Sequence, residues 1–350
     1  DRELFEPKIL TLSPEPMNSM KSDFLNANIS IDSLNLSRIQ FLINGKFKLK
    51  KYINMYNPDI IHTSGIRADI TISKMEFIDK HCMTIRNYAY EDYVAKYGNF
   101  IGKFIADFSI KAMKKCKYVI CCSKTLKDMY EKILTKKLYV VQNGVDTDKF
   151  KPALNLDDKN AKRFLLNIPK DRLVFIVVGS LIKRKNPIFI IRAFKKANFQ
   201  NKAILILLGD GELMEQCKNE SDNNIILKGN VKNVNDYLQA ADVYISASKS
   251  EGLPNSVLEA GSSGLNLILS DIPQHKEIFE GNLDLVELFN PDDNNMLSLK
   301  IQEAIKINTK DINFKISNFI KNRFSNKVMS KNYERIYSYI IKCNKKNKNF

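Results

Sequence analysis

The sequence predicts an α/β protein of two domains, each built on a parallel β-sheet, and three observations carry that prediction. Short apolar runs of strand length alternate with stretches of helical character along the chain. The stretch Asp242–Ser270 reads as strand, tight loop, helix and strand, the unit from which parallel sheets are made. Near the middle, Asn143-Gly-Val-Asp-Thr-Asp-Lys-Phe-Lys-Pro152 interrupts the alternation with turn-forming residues. A length of 350 residues suits two domains of ordinary size.

In chain order, Lys8–Ser13 and the period-two run Ile29–Leu36 read as strands. A helix over Lys46–Tyr56 is stopped by Asn57-Pro58. Asp59–Gly65 is a strand entering a small-residue loop, and Met83–Tyr88 a strand ending in polar residues. Gly102–Lys115 is helical, Tyr118–Cys122 a strand, Thr125–Leu134 a helix and Leu138–Gln142 a strand. Beyond the crossover, Leu173–Val178 leads into Gly179-Ser180, and Asn186-Pro187 starts a helix through Ala197. Ala203–Leu208 enters Gly209-Asp-Gly-Glu212, Ile225–Leu227 reaches Gly229, and Val234–Ala241 is a helix. Asp242–Ser246 and Leu265–Leu269 bracket a helix with Pro254 in its first turn, for which Gly261 and Gly264 offer stops. Tyr333, Ile336, Tyr337 and Ile340 share one face of a C-terminal helix, better suited to core packing than to a membrane.

Composition narrows the class. Hydrophobic content of 44% and charged content of 27% describe a soluble globular chain, and no apolar run approaches the ~20 residues a spanning helix needs. Six cysteines without metal-ligand spacing and three histidines argue against a structural zinc site and for a reducing, cytoplasmic setting. The net charge is +16, of which +10 falls between Lys306 and Phe350, where twelve lysines and arginines meet only Asp311 and Glu334. Nucleic acid, an anionic membrane leaflet and a merely solvated lysine-rich surface all fit that tail. Nucleic acid is disfavoured because no binding motif accompanies it.

The loop before Pro254 carries chemistry. Small residues let a ligand approach the backbone, and free N–H groups at a helix start favour an anion, usually phosphate. Glu251 lies in the loop, and Glu259 is placed about two turns into the helix, so two carboxylates flank a diphosphate-sized space. Two ordinary surface glutamates are the alternative for that pair taken alone.

The full string Ser250-Glu-Gly-Leu-Pro-Asn-Ser-Val-Leu-Glu-Ala260 resembles the retaining GT-B glycosyltransferases of family 4, whose hallmark is Glu, seven residues, Glu. Asn143-Gly-Val-Asp146 followed by Phe150-Lys-Pro152 resembles the family's domain junction, and Gly179-Ser-Leu-Ile-Lys-Arg-Lys185 its Gly-x-Leu-x-x-x-Lys motif. The resemblance implies two Rossmann-like domains whose parallel sheets face across a cleft: residues 1–150 on the acceptor side, 151–325 on the nucleotide-sugar side, and 326–350 a helix crossing back, with the basic tail. It covers nearly the whole chain but begins at the family's second strand. That implies a chain lacking the first strand, Gly-rich loop and helix, roughly forty residues.

Carried over by residue, the resemblance puts Lys185 on the donor diphosphate and Glu251 beside the transferred sugar. The N–H groups of Gly252, Leu253 and Asn255 face the sugar or diphosphate, Glu259 accepts from the ribose hydroxyls, and Val231 touches the base. Ser180 stands where the family often has arginine, which shifts some phosphate binding to Arg184. A solvated basic loop is the plainer account of Lys183-Arg184-Lys185. Arg86 occupies a position where the family frequently has histidine; it cannot act as a base at neutral pH but can hold a phosphate or the acceptor. Asp92 either assists there or caps the next segment. His62 and Gly65 line the same cleft, with a structural role for His62 equally open.

The implied reaction is retaining transfer from a UDP- or GDP-sugar, UDP-sugar by preference, to a glycan or lipid-linked acceptor in surface polysaccharide synthesis. It needs neither metal nor cofactor and takes place in the cytoplasm or at the inner membrane face. A GT-B epimerase would need more catalytic histidines and acids, and a catalytically inactive sugar-nucleotide-binding fragment is the non-enzymatic alternative.

Overall fold

A computed structural model describes residues 1–16, 19–199, 201–304 and 310–348, so Lys306 of the basic tail lies outside the described residues. The chain packs as two compact units, one comprising Asp1–Ile120, Glu131–Tyr139 and Lys331–Phe350, the other Cys121–Tyr130 and Val140–Ser330.

In the first unit, β1 (Lys8–Thr11) pairs in parallel with β2 (Ser30–Ser33), Ile9 opposite Ile31. A second sheet has the order β3 (Ile61–Thr63), β4 (His81–Ile85), β5 (Tyr118–Cys121) and β6 (Tyr139–Val140). Every residue of β4 and β5 is buried, as in strands covered on both faces, and each of the two polar side chains of β4 has a hydrogen-bond partner there, His81 in Thr63 and Thr84 in His62. The helix Lys46–Tyr56 forms over the expected residues because Leu49 and Ile53 meet Ile72 and Met75 in the core, and Asn57 ends it at φ 43°. Helix Asn99–Lys115 lies tight on Ala89–Tyr97 at Gly102, where a Cβ would come within 2.4 Å of the Tyr93 carbonyl oxygen.

The second unit is one six-stranded sheet. Its strands are β7 (Leu173–Val178), β8 (Ala203–Leu208), β9 (Ile225–Gly229), β10 (Val243–Ser246), β11 (Asn266–Ser270) and β12 (Glu287–Phe289), in the order β12-β11-β10-β7-β8-β9. All five neighbouring pairs are parallel. β7 and β8 align in register from Leu173 opposite Ala203 to Val178 opposite Leu208, with Phe175, Leu205 and Leu207 in a core shared with Ile190, Ile191 and Phe194. Burying one such aliphatic side chain stabilises by about 1.5–3 kcal/mol. Strand order reverses between β7 and β10, which creates a crevice at their C-terminal ends.

Three local expectations need correcting. Pro254 caps the helix instead of opening it, and the helix runs Asn255–Ser262, because ψ 109° keeps Pro254 extended. Gly261 does not stop that helix. It lies inside it, where a Cβ would stand 3.0 Å from Ile320 Cγ1, so the small residue serves close packing, and Gly264 at φ 71° makes the turn. Glu259 is consequently only about one turn into the helix.

Candidate active site

The loops after β7, β8 and β9 are bound edge to edge. Gly179 N–H donates to Leu208 O at 2.9 Å, Leu181 N–H to Asp210 O at 2.9 Å, and Gly209 N–H to Gly229 O at 2.8 Å. Gly209 sits at φ 131°, and a Cβ there would come within 2.0 Å of the Gly179 carbonyl oxygen, so only glycine permits the approach. This frame holds the turn Ser180–Asn186, from which Arg184 and Lys185 project. The β10 loop joins it directly, Lys249 N–H donating to Arg184 O at 2.9 Å.

At the crevice the two motifs read from sequence meet. Lys185 Nζ lies 2.5 Å from Glu251 Oε1, and Arg184 Nη1 lies 2.8 Å from Oε2 while donating to Ser250 O at 2.6 Å. The Glu251 side chain is only 7% exposed. Burial alone would raise its carboxyl pKa; Lys185 and Arg184, helped by a hydrogen bond from Ser248, outweigh burial and hold it at about 2. Arg184 and Lys185 are therefore not a solvated loop, although Lys183 beside them is exposed. Two cations are fixed beside one buried carboxylate.

Next to them is the start of helix Asn255–Ser262. Among the described residues, the N–H groups of Gly252, Leu253, Asn255 and Ser256 donate to no protein acceptor, and Pro254 has none. Gly252 and Leu253 are buried and Asn255 exposed. Asn143 of the mid-chain motif fixes this loop, donating from Nδ2 to Leu253 O at 2.9 Å. Val145 in turn brackets the end of helix Lys310–Phe324, its N–H donating to Phe324 O and its carbonyl accepting from Asn326 N–H, both at 2.8 Å. Glu259 is half-buried, and among the described residues its carboxylate has no hydrogen-bond or ion-pair partner. Burial raises its pKa, with Lys149 and Lys185 opposing. Ser180 is exposed and Val231 half-buried in their respective loops.

Sequence reasoning missed what stands behind Glu251. His275 is fully buried, its Nδ1 2.8 Å from the Ser270 carbonyl oxygen and its Nε2 3.5 Å from Ser246 Oγ. A carbonyl only accepts, so Nδ1 carries the proton; burial lowers the pKa to about 4 and the ring is neutral. Ser246 Oγ lies 3.3 Å from Ser248 Oγ, and Ser270 Oγ donates to Ser248 O at 2.6 Å. The only signal in the sequence was one of three histidines just after a strand.

The residues read as acceptor-side lie in the first unit. His62 on β3 bonds through Nδ1 to the Tyr337 hydroxyl at 2.6 Å and through Nε2 to Thr84 Oγ1 at 2.7 Å, and the Tyr333 hydroxyl lies 3.0 Å from Thr84 Oγ1. Both ring nitrogens are therefore engaged. Gly65, at φ 117°, precedes helix Ile66–Ile72. Arg86 is exposed just after β4. Asp92 sits in the first turn of helix Ala89–Tyr97, with Asn87 Nδ2 3.3 Å from its Oδ1. Among the described residues no three His, Cys, Asp or Glu side chains gather as metal ligands, and no helix is long and apolar enough to cross a membrane.

Comparison with known proteins identifies the family and the fold. The family described as glycosyl transferases group 1 matches residues 158–322, and glycosyltransferase family 4 matches residues 6–149. The Escherichia coli UDP-Gal:alpha-D-GlcNAc-diphosphoundecaprenol alpha-1,3-galactosyltransferase is 29% identical over 289 residues, covering 77% of this chain and 73% of its own length. The E. coli O-antigen biosynthesis glycosyltransferase WclY is 25% identical over 307 residues, covering 84% and 82%. Among solved structures, a Rickettsia africae glycosyltransferase superimposes with a TM-score of 0.76 at 21% identity, covering 96% of this chain and 90% of its own. Anabaena HepE in complex with UDP and glucose superimposes at 0.78 and 15% identity, covering 95% and 99%. With both its units matched, this chain belongs to the group 1 glycosyltransferases and has their GT-B fold of two Rossmann-like domains.

Proposed function

We propose that the chain transfers a sugar, with retention of configuration, from a UDP-sugar to a lipid-linked or glycan acceptor during surface polysaccharide synthesis at the cytoplasmic face of a membrane. One observation carries the proposal. Lys185, Arg184 and the N–H groups of the Asn255–Ser262 helix start, which have no acceptor among the described residues, converge where the strand order of the second unit reverses, with Glu259 one turn away. That arrangement matches a nucleoside diphosphate: cations and N–H groups for the phosphoryl oxygens, a carboxylate for the ribose hydroxyls. GDP would satisfy the same groups. The preference for UDP draws on the E. coli relative named for UDP-Gal and the HepE complexes with UDP and UDP-glucose.

As the sugar–phosphate bond loosens, negative charge grows on the leaving diphosphate, and Lys185, Arg184 and the helix start stabilise it. Without donor, Glu251 is the counter-ion that keeps both cations in position. With donor, the diphosphate shares them and Glu251 faces the transferred sugar. The acceptor hydroxyl then enters on the face the diphosphate leaves, its oxygen bonding to the anomeric carbon and its proton passing to the departing phosphate oxygen, with no metal taking part. Support for retention comes from the same relative: UDP-galactose carries an α-linked sugar and the product is named as α-1,3. In the first unit, Arg86 and Asp92 are the acceptor-side residues, with Gly65 giving the β3 loop its shape.

The test is calorimetry with UDP and GDP, followed by hydrolysis of UDP-sugars in the absence of acceptor. UDP binding that Glu259→Ala weakens at least about tenfold, with slow turnover abolished by Lys185→Ala, supports the proposal. A folded protein that takes up neither nucleotide refutes it, and binding without turnover of any UDP-sugar leaves only a binding protein.

A further inference from the structure

Between Leu34 and Pro58 the chain carries Arg38, Lys46, Lys48, Lys50 and Lys51 and not one acidic residue. This stretch folds as a continuous helical rod, α over Arg38–Gln40, a wide π turn over Phe41–Gly45, and α again over Lys46–Tyr56. Ser37 and Gln40 close its start with a reciprocal capping pair.

One side of the rod is core: Phe41, Gly45, Leu49 and Ile53, four apart, are buried. The other side presents Ile39, Leu42, Ile43 and Phe47 at 71%, 86%, 80% and 72% exposure. In an uninterrupted α-helix a four-residue step drifts about 40° around the axis. The wider π turn takes up that drift, so Ile39, Ile43 and Phe47 line up with Leu42 beside them. All five cations are exposed, and among the described residues only Lys50 forms an ion pair, with Glu76 at 2.6 Å.

Four contiguous large apolar side chains in water mark a contact surface, where scattered single ones would not. Charge decides among occupants. A second copy of this chain would set the same cations against each other. Nucleic acid would satisfy the cations and leave four aliphatic and aromatic groups wet. An anionic bilayer serves both, the apolar side chains entering the headgroup–acyl boundary while lysines reach the lipid phosphates. We infer that the Ile39–Leu42–Ile43–Phe47 face is a membrane-docking surface that seats the first unit on an anionic lipid bilayer. The inference draws on the proposed lipid-linked acceptor only for its purpose; the surface is defined by geometry and charge outside the nucleotide site.

The experiment is co-sedimentation of the full chain with vesicles of phosphatidylcholine alone and of phosphatidylcholine with 30% phosphatidylglycerol. Wild type is expected to bind the anionic vesicles, more weakly as salt rises, and to leave the zwitterionic ones. The triple variant Leu42→Ser, Ile43→Ser, Phe47→Ser should bind at least about tenfold more weakly. Lys46→Ala with Lys51→Ala should cost roughly 25-fold. Phe164→Ser with Leu165→Ser, equally exposed in the second unit at 81% and 77%, should change nothing. Equal binding by wild type and the triple variant, equal binding to both vesicle types, or capture of an acidic protein without vesicle binding overturns the inference. UDP calorimetry on the same preparations keeps the two questions apart: vesicle binding through this face without UDP binding sinks the proposed reaction and leaves the surface standing.

Discussion

Glu251 ties the stability of the second unit to the proposed donor site. Its folded pKa of about 2 lies below the ordinary 4.5, so the stabilisation is complete above pH 4.5 and lost as pH falls through 2. A shift of that size corresponds to at most on the order of 3 kcal/mol. Glu251→Gln should therefore be less stable than wild type at pH 7, and denaturant titrations should show the gap closing between pH 4.5 and 2. Glu259 behaves in the opposite sense. Its pKa is raised by burial, so its ionised form costs folding stability, and wild-type stability falls as pH rises through the folded value. Glu259→Gln should melt slightly higher than wild type at pH 7 yet bind UDP at least about tenfold more weakly. A variant that lost both stability and binding would contradict this reading of Glu259.

Elements bring these residues within reach, and two contacts test how. Gly209 lets the β8 loop lie against the β7 loop that carries Lys185. Gly209→Ala should cost more than about 3 kcal/mol in denaturant unfolding and weaken UDP binding too, because the new Cβ would displace the Gly179 carbonyl. Glu277 caps helix Lys124–Glu131 from a distant part of the chain, accepting from Lys124 N–H at 2.6 Å and from Thr125 N–H and Oγ1 at 2.8 and 2.7 Å, and also from Gln142 Nε2 at 2.7 Å. Glu277→Ala should destabilise by about 1–2 kcal/mol and leave UDP affinity unchanged. Element by element, the strands Leu173–Val178 and Ala203–Leu208 and the helices Lys46–Tyr56 and Pro187–Ala197 were legible residue for residue, because each has an unbroken apolar run or a clear apolar face with a stop signal. Ile66–Ile72, Met214–Glu220 and the π turn at Phe41–Gly45 were not. Segments that short are held by tertiary contacts, and local sequence carries little trace of those.

For the molecule as a whole, the sheet order β12-β11-β10-β7-β8-β9 places two loops about seventy residues apart in sequence side by side. Hydrogen exchange on the full chain with and without UDP should accordingly show added protection in Gly179–Lys185 and Ser250–Glu259. Protection confined to the first unit would contradict the proposed nucleotide site. The net charge of +16 says little by itself; its arrangement beside exposed apolar side chains at Arg38–Lys51 is what singles out a lipid surface.

The amino-acid sequence alone determined the alternation of strands and helices and singled out Lys185, Glu251 and Glu259 as candidate site residues, since apolar period and motif strings are local properties. Only tertiary structure decided that Glu251 is the buried counter-ion of Lys185 and Arg184, that His275 is sealed behind it, and that both nitrogens of His62 are taken up by Thr84 and Tyr337. Those outcomes depend on which distant backbones are packed against each other, and so on burial and charge pairing that no local pattern encodes.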